Sequence, residues 1–305
     1  RSGTALEQAA ALAEKIQAQP DSLDLYRDIV RQFISAGDLD SAIAWLQRGR
    51  LTTLGKADSS LERQEIDLIT QRYEKISKGL RDQLAATPGD ILVLGAAGKM
   101  GPTLCRAAKR ADPSRRVIAV ARWSEPGLRQ RMQSWGIETL SADLMDRAAL
   151  AALPDAPNLI FLAARKFGST GAEDTTWAMN TLLPAMVAER FPAARTVFLS
   201  SGNVLPLVPV ISGGADEATP PAPVGEYAAS VLGRERMFQH AGRARGTPSF
   251  GIRLNYAIDL RYGVLCDVAA KVAGGLPVDV SMGAANVIWQ GDANARAIQC
   301  LAHTA

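Results

Sequence analysis

The segment ILVLGAAGKMG, residues 91–101, narrows the possible folds of this chain more than any other stretch. A short apolar run leads directly into a loop with three evenly spaced glycines. Glycines at this spacing after a strand let the backbone turn tightly, approach a ligand closely and begin a helix whose N-terminus offers donors to an anion. The segment therefore predicts a strand, loop and helix that hold the pyrophosphate of a dinucleotide. The predicted contacts are Gly95, Gly98, Lys99, Met100 and Gly101.

The chain after Ala86 alternates strand-like and helix-like patterns. This alternation is typical of an α/β fold, a Rossmann-type doubly wound parallel sheet. Residues 1–88 instead have apolar residues at spacings of three and four, which predicts helices. We therefore predict two domains, an all-α module over 1–88 and a nucleotide-binding domain over 89–305. The strand candidates are Ile91–Leu94, Val117–Ala121, Ile137–Leu140, Leu159–Ala163, Thr196–Ser200 and Phe250–Arg253.

The N-terminal module contains one clear helical hairpin, LDLYRDIVRQFISAGDLDSAIAWLQRG. Gly37 stands at its turn, and the small Ala42 suits a close contact between the two helices. The order of these residues resembles a tetratricopeptide repeat, although a plain helical hairpin would give the same pattern. We expect the module to bind a protein partner or a second copy of the chain.

Composition excludes several classes of function. The 305 residues are 47% apolar and 21% charged, with a formal net charge of +3. Nucleic-acid binding normally needs a basic patch or a recognisable module, and neither is visible. No apolar run reaches the roughly 18 residues of a membrane helix. We expect a cytoplasmic protein without a metal site, whose separated cysteines are buried thiols: Cys105, Cys266 and Cys300.

The second predicted strand ends in Ala121 and Arg122, where an NAD-binding chain usually has an acidic residue for the ribose hydroxyls. An arginine suits a 2′-phosphate, so we predict NADP in preference to NAD. The alternative is that Arg122 is only a solvated charge at a strand end.

The third and fourth strands end in further candidates for cofactor contacts. Asp143 is placed to accept a hydrogen bond from an adenine amino group while Leu144 packs on the ring, and the alternative for Asp143 is a helix N-cap. After the fourth strand, the small Ala163 and Ala164 would let a cofactor lie against the carboxyl end of the sheet.

In their order along the chain, these features resemble the extended short-chain dehydrogenase/reductase family, especially its NAD(P)-dependent epimerases and dehydratases. The resemblance spans residues 90–302 and includes Asn180 among the expected cofactor contacts. It rests on GAAGKMG, Asp143-Leu144, Leu162-Ala163-Ala164, Asn180, Ser200-Ser201, Tyr227, RLNYA at Arg253–Ala257 and Asp292.

The resemblance implies a reaction at a carbinol carbon. Ser201 would orient the substrate oxygen, and Tyr227 would exchange its proton and contact the cofactor. A hydride leaves an alcohol carbon readily only when the oxygen loses its proton, so a phenol with an ordinary pKa of about 10 must become more acidic. The structural alternatives are a turn-capping serine and a half-buried aromatic at a helix start.

One residue departs from the family pattern. Four residues after Tyr227 the family has a lysine, which supplies positive charge and binds the cofactor ribose, whereas this chain has Val231. Lys166 after the fourth strand and Arg234, seven residues beyond Tyr227, are the candidates to replace that charge. Each could equally be an ordinary solvated cation.

Substrate contacts are expected from the fourth strand's end and from late segments, namely Arg165, Asn255 and Arg261. The sequence also predicts a truncated substrate lobe. The predicted function is an NAD(P)-dependent oxidoreductase or epimerase acting by hydride transfer on a sugar-like or hydroxy-acid substrate. The alternative is a cofactor-binding scaffold or sensor with little turnover, whose helical module binds partners.

Overall fold

The computed structural model describes residues 2–52, 59–166, 168, 170–259 and 262–304, with the side chains of 62–76 described only in part. The chain divides into two compact units, Arg1–Lys78 and Gly79–Ala305. This division lies inside a long helix, whereas the predicted boundary at 88/89 lies just after the helix ends.

The described residues of the first unit form α1 (Ser2–Ala18), α2 (Leu23–Ala36), α3 (Leu39–Arg50) and the first part of α4 (Ser59–Ala86). The predicted helix pair is α2 and α3. Gly37 ends α2 in the left-handed conformation with φ 78°, and Asp38 begins α3 by accepting a hydrogen bond of 3.0 Å from the backbone N–H of Ser41. Ala42 is fully buried between the helices. The tetratricopeptide repeat itself stays a prediction.

The second unit alternates strands and helices over its described residues. In chain order they are β1 (Ile91–Leu94), α5 (Gly101–Ala111), β2 (Val117–Ala121), α6 (Leu128–Ser134), β3 (Glu138–Ser141), α7 (Arg147–Ala151), β4 (Asn158–Phe161), α8 (Glu173–Trp177), α9 (Leu183–Arg190), β5 (Arg195–Ser201), α10 (Gly225–Arg245), β6 (Ser249–Leu254), β7 (Tyr256–Ile258), α11 (Val264–Ala273), β8 (Val287–Trp289) and α12 (Gln290–Gln299).

The main sheet has the strand order β3-β2-β1-β4-β5-β6, and every pairing is parallel. This confirms the predicted doubly wound fold. Leu94 at the end of β1 pairs with Val120 of β2 on one side and Phe161 of β4 on the other. The chain reverses direction across the sheet between β1 and β4, and ligands of such sheets bind outside the carboxyl ends of the strands at this point.

The sheet is buried on both faces because successive side chains of a strand point to opposite sides. In β1, Leu92 and Leu94 belong to one apolar cluster, while Ile91 and Val93 belong to the other. A continuous apolar strand therefore needs helices on both faces, which the alternating chain supplies.

The end of α4 is anchored to this unit by Arg115, which precedes β2 and is 9% exposed. Its guanidinium donates hydrogen bonds to the carbonyl oxygens of Leu84 at 2.7 Å, Thr87 at 2.5 Å and Gly89 at 2.8 Å. It also pairs with Asp112 at 3.0 Å. Helix ends leave carbonyls without intrahelical partners, and Arg115 binds the carbonyl of Leu84 in the last turn of α4 and two carbonyls just beyond the helix.

The late part of the chain forms a second, two-stranded parallel sheet from β7 and β8. Between these strands lies α11, whose apolar Leu265, Val268 and Val272 are exposed. Among the described helices, none combines the length and hydropathy that a membrane span requires.

Candidate active site

The loop between β1 and α5 has the geometry that its glycines predict. Gly95 has φ +84°, and a Cβ atom there would lie 2.6 Å from the backbone nitrogen of Ala163. A Cβ atom on Gly101 would lie 2.2 Å from the carbonyl oxygen of Ala96. A Cβ atom on Gly98 would meet only the carbonyl oxygen of Gly95 at 3.4 Å, an ordinary contact. The fold itself thus requires two of the glycines, while Gly98 leaves exposed backbone that a ligand can approach.

The end of β2 lies beside this loop in the sheet. Ala121 is buried and Arg122 is exposed. The next residue, Trp123, has φ 55° and donates its indole N–H to the carbonyl oxygen of Leu140 at 2.8 Å. The strand end is therefore fixed by Trp123, and the guanidinium of Arg122 lies at the surface.

After β3, Asp143 is exposed and accepts a hydrogen bond of 3.0 Å from the backbone N–H of Met145. The N-cap of α7 is Asp146, so Asp143 occupies a turn before the helix and does not cap it. Leu144 is 7% exposed and packs in the apolar cluster on one face of the sheet. The backbone turn thus aims the Asp143 carboxylate outward while Leu144 anchors the segment.

The end of β4 is held by Asn180, a fully buried residue in a π-helical turn, Ala178–Leu182, between α8 and α9. Its amide accepts a hydrogen bond of 2.9 Å from the backbone N–H of Arg165 and donates one of 3.0 Å to the carbonyl oxygen of the same residue. Ala163 is buried and Ala164 is exposed beside this clamp. A π-helical turn inside a helix is rare and is frequently found at functional sites.

Arg234 on α10 is the cation that the structure buries most completely among the candidates, with 2% of its surface exposed. Its guanidinium donates hydrogen bonds to the carbonyl oxygen of Leu199 at 2.6 Å and to Oδ1 of Asn180 at 3.0 Å. Burial lowers its pKa to about 10, and its electrostatic attractions to Tyr227 and Glu235 oppose that shift. Arg234 is therefore not a solvated surface charge, and it stays cationic at neutral pH.

Tyr227 lies in the first turn of α10, and Ser201 lies at the carboxyl end of β5. Tyr227 is half-buried, and its carbonyl oxygen accepts a hydrogen bond of 2.9 Å from Ser230, which also contacts Asn180 at 3.0 Å. Ser201 is buried, and its hydroxyl accepts a hydrogen bond of 3.2 Å from the backbone N–H of Asn203. Val231 is 1% exposed, so the position where the resemblance led us to expect a lysine holds a buried apolar side chain.

A charged network that the sequence did not predict ties β5, β6 and α10 together. Glu235 is buried, accepts a hydrogen bond of 2.5 Å from Ser200, and binds Arg253 through two hydrogen bonds of 3.0 and 2.9 Å. Burial would raise the pKa of Glu235, but the hydrogen bonds from Arg253 and Ser200 and the charges of Arg253 and Arg236 lower it overall. The sequence signal that could have revealed this network is the carboxylate of Glu235, on the face of α10 that packs against the sheet.

A second unpredicted contact fixes α12 against α5. Thr103 Oγ1 accepts hydrogen bonds from the amide groups of Gln290 at 2.7 Å and Asn294 at 2.9 Å. Both amide side chains are 1% exposed. Their spacing of four residues places them on one helix face, which is the signal that the sequence offers.

Two of the three predicted substrate contacts, Arg165 and Asn255, lie among the described residues. Arg165 donates a hydrogen bond of 2.9 Å from its guanidinium to the carbonyl oxygen of Gly168. Asn255 is exposed, and its side chain lies so close to Gly202 that a Cβ atom there would be 1.8 Å from Oδ1. Arg261 lies outside the described residues. The ammonium of Lys166, the other candidate cation, lies 5.2 Å from the ring centroid of Tyr256.

All three cysteines are among the described residues, and each is a free thiol. Cys105 is fully buried, and burial raises its pKa to about 12, whereas Cys266 and Cys300 are half-buried. Among the described residues, no group of histidine, cysteine and acidic side chains has the arrangement of a metal site.

Several solved structures have the same fold as the second unit of this chain. Pal from Bacillus thuringiensis is 18% identical over 68% of this chain and 72% of its own, with a TM-score of 0.60. The dTDP-glucose 4,6-dehydratase of Bacillus anthracis str. Ames, in complex with NAD, is 16% identical over 70% of this chain and 71% of its own, with a TM-score of 0.60.

A mutant UDP-glucuronic acid 4-epimerase of Bacillus cereus, in complex with a fluorinated UDP-sugar and NAD, is 17% identical over 67% of this chain and 70% of its own, with a TM-score of 0.58. A protein of Burkholderia cenocepacia J2315 aligns over 62% of its length, so less than two thirds of that chain has a counterpart here. No curated protein sequence matches this chain significantly.

The family model for the NAD dependent epimerase/dehydratase family matches residues 91–258. This span begins at β1, includes the glycine-rich loop, Ser201 and Tyr227, and ends with β7. It covers more than half of the 305 residues. The chain therefore belongs to the NAD dependent epimerase/dehydratase family.

Proposed function

We propose that this chain is an NAD(P)-dependent epimerase or oxidoreductase that transfers hydride at the carbinol carbon of a sugar-like or hydroxy-acid substrate. The observation that carries the proposal is the buried Arg234, a positive charge seven residues after Tyr227 on the same helix. Tyr227 is assigned as the acid/base, and Ser201 orients the substrate oxygen.

The glycine-rich loop fits a dinucleotide cofactor. The exposed backbone at Gly98 is open to a pyrophosphate, and the N-terminus of α5 begins directly after it at Gly101. When bound, the nicotinamide supplies the site for hydride exchange. Ala163 and Ala164 then present little side-chain bulk at the carboxyl end of β4, and the clamp of Asn180 keeps that backbone in place.

The proton at the substrate oxygen is assigned to Tyr227. As hydride leaves the carbinol carbon, the phenolate oxygen of Tyr227 accepts the hydroxyl proton, and it returns a proton in the reverse direction. Ser201 donates a hydrogen bond to the same substrate oxygen. A positive charge near the phenol favours its ionised form, because opposite charges attract more strongly where little water screens them.

Arg234 suits this electrostatic role better than Lys166 does. Arg234 is buried and stands seven residues after Tyr227, about two helical turns along α10, and its hydrogen bond to Asn180 connects it to the clamp on β4. Lys166 instead interacts with the ring of Tyr256 and with the charge of Lys99. We therefore assign the charge that Val231 cannot supply to Arg234, and the ribose contact of the family lysine has no replacement in this assignment.

NADP is proposed over NAD because Arg122 is exposed at the end of β2, where it can reach a 2′-phosphate. Asp143, whose carboxylate faces outward after β3, is proposed to accept the adenine amino group. Arg165, Asn255 and Arg261 are proposed to contact the substrate, and residues 1–88 are proposed to bind a protein partner or a second copy.

The experiment that tests the enzyme proposal follows nicotinamide absorbance with a panel of nucleotide sugars and hydroxy acids. Tyr227→Phe should reduce turnover by about 10²- to 10⁴-fold, because it removes the proton acceptor. NAD(P)H affinity, followed by fluorescence, should stay the same in this variant. Unaltered turnover in Tyr227→Phe contradicts the mechanism.

A second candidate function is a cofactor-binding scaffold or sensor with little turnover. The buried Val231 favours it, since an apolar side chain replaces a charge one turn from Tyr227. Under this alternative Val231→Lys creates turnover where the natural chain has none. Under the enzyme proposal the same change lowers turnover, because it places a second cation beside Arg234 on one helix face.

A further inference from the structure

The hydroxyl of Thr103, in the first turn of α5, is the centre of a polar network. It donates a hydrogen bond of 3.0 Å to the carbonyl oxygen of Met100 and accepts hydrogen bonds from the amides of Gln290 at 2.7 Å and Asn294 at 2.9 Å. A hydroxyl has one proton and two lone pairs, so this one is saturated. Because the proton goes to Met100, the nitrogen of each amide must face Thr103. The network therefore has one arrangement of donors and acceptors.

Thr103 also carries one of the N–H groups at the start of α5, which a helix leaves without intrahelical acceptors. The N–H of Gly101 donates a hydrogen bond of 3.2 Å to the carbonyl oxygen of Gly98, and Pro102 has no N–H. That leaves the N–H of Thr103 as the first one at this helix start that suits a pyrophosphate. One residue thus combines a backbone donor for an anion with a hydroxyl that fixes its position.

The two amide side chains on α12 are unfavourable for stability. Both are 1% exposed, and no described residue donates a hydrogen bond to Oε1 of Gln290 or Oδ1 of Asn294. A buried carbonyl oxygen without a partner costs free energy. The other buried residues of α12 are apolar, namely Ala293, Ala295, Ala297 and Ile298. Apolar side chains would pack at 290 and 294 at a lower cost, so the amides are better explained by what their N–H groups hold.

We propose that Gln290 and Asn294 are positioning residues for the cofactor, which act through Thr103 to hold the first turn of α5 in the geometry that binds the pyrophosphate. This rests on the proposed function, because it assumes a dinucleotide at the glycine-rich loop. A donor that is already fixed loses little freedom when the ligand binds, so the network contributes to affinity. Gln290 also donates a hydrogen bond of 3.3 Å to Asp259, which connects the network to the segment after β7.

The experiment measures cofactor affinity by fluorescence, with NADPH or NADH according to which the natural chain binds more tightly, and urea unfolding in parallel. Thr103→Val removes the hydroxyl at nearly constant volume and should weaken cofactor binding by about tenfold, the effect of losing about one hydrogen bond. Thr103→Ser keeps the hydroxyl and should bind almost like the natural chain. Asn294→Leu should weaken binding by less than Thr103→Val, because Gln290 still holds the hydroxyl.

Thr196→Val is the matched control. Thr196 is also a buried threonine, and its hydroxyl donates a hydrogen bond of 3.1 Å to the carbonyl oxygen of Ala194. It lies near the amino end of β5, at the edge of the sheet opposite the cofactor. This substitution should lower the urea midpoint and leave cofactor affinity unchanged.

The proposal is overturned if Thr103→Val lowers the urea midpoint while cofactor affinity stays the same, since the network is then only structural. It is also overturned if Thr103→Ser weakens binding as much as Thr103→Val does. If Thr103→Val does not fold, Asn294→Leu and Gln290→Met provide the same comparison. A natural chain that binds neither NADPH nor NADH overturns the proposed function as well, whereas unchanged affinity in the variants overturns this proposal alone.

Discussion

The loop between β1 and α5 and the helix α10 both contribute to the carboxyl edge of the sheet, but they are specified in different ways. In the loop, backbone contacts dictate the residue type, because any side chain at Gly95 or Gly101 would collide with main-chain atoms. In α10, position 231 holds a buried valine, and Arg234, which we propose supplies the charge instead, is held by burial and hydrogen bonds. A steric requirement fixes a residue at its position, whereas under this proposal an electrostatic requirement is met from another position on the same helix.

The largest expected effect is on stability, and it should distinguish Gly101, which the fold requires, from Gly98, which is proposed to face the ligand. Gly101→Ala should lower the free energy of unfolding by about 3 kcal/mol, because the new methyl group overlaps the backbone of Ala96. Gly98→Ala should leave stability within about 0.5 kcal/mol and weaken NAD(P)H binding. Urea unfolding and cofactor fluorescence measure the two quantities. Equal destabilisation by both substitutions would contradict the distinction.

The next effect concerns the charge on α10. Arg234→Met should reduce turnover by about 10- to 100-fold, because the proposed site loses its buried cation. Arg234→Lys should recover part of that turnover. A variant that loses stability but keeps its turnover would make Arg234 purely structural. The measurements are turnover and urea unfolding of the natural chain and both variants.

A smaller effect is expected from the carboxylate next to Arg234. Glu235→Gln should lower the free energy of unfolding at pH 7 by about 1 to 3 kcal/mol, because Arg253 loses its charged partner. The folded-state pKa of Glu235 is lowered, so its contribution is complete above the unfolded pKa of about 4.3 and is lost as the pH falls below that value.

The difference between Glu235→Gln and the natural chain should therefore shrink as the pH falls from 7 towards 3. Chemical denaturation at a series of pH values measures this. A difference that is independent of pH would mean that the hydrogen bonds matter and the charge does not.

The smallest effect is at the edge of the cofactor site. Arg122→Ala should weaken NADPH binding by about tenfold and leave NADH binding unchanged, because an exposed guanidinium contributes about one charge-assisted hydrogen bond to a 2′-phosphate. Dissociation constants for both cofactors provide the test, and Arg129→Ala on α6 is the matched control. A preference of the natural chain for NADH would contradict the choice of NADP.

The sequence predicted the main sheet closely because strand patterns and glycine contacts are local. The predicted strands Ile91–Leu94 and Val117–Ala121 are the observed β1 and β2. The clamp of Asn180 on Arg165 and the network of Glu235 depend on residues that are distant along the chain and meet only after folding. Residue spacing within one helix cannot reveal which cation is buried, since burial is decided by the neighbouring elements.

The apolar Val231 and the buried Arg234 have a consequence for the order in which substitutions can accumulate. They stand three residues apart on one face of α10, so a lysine introduced at 231 meets an existing cation in a space with little water. Removing Arg234 first takes away the hydrogen bonds that it donates to the Leu199 carbonyl and to Oδ1 of Asn180. We expect each single substitution to be unfavourable and the combination of Val231→Lys with the loss of Arg234 to be tolerated. The two positions should therefore show strong epistasis, because a chain that exchanges one charge for the other must pass through a less fit single variant.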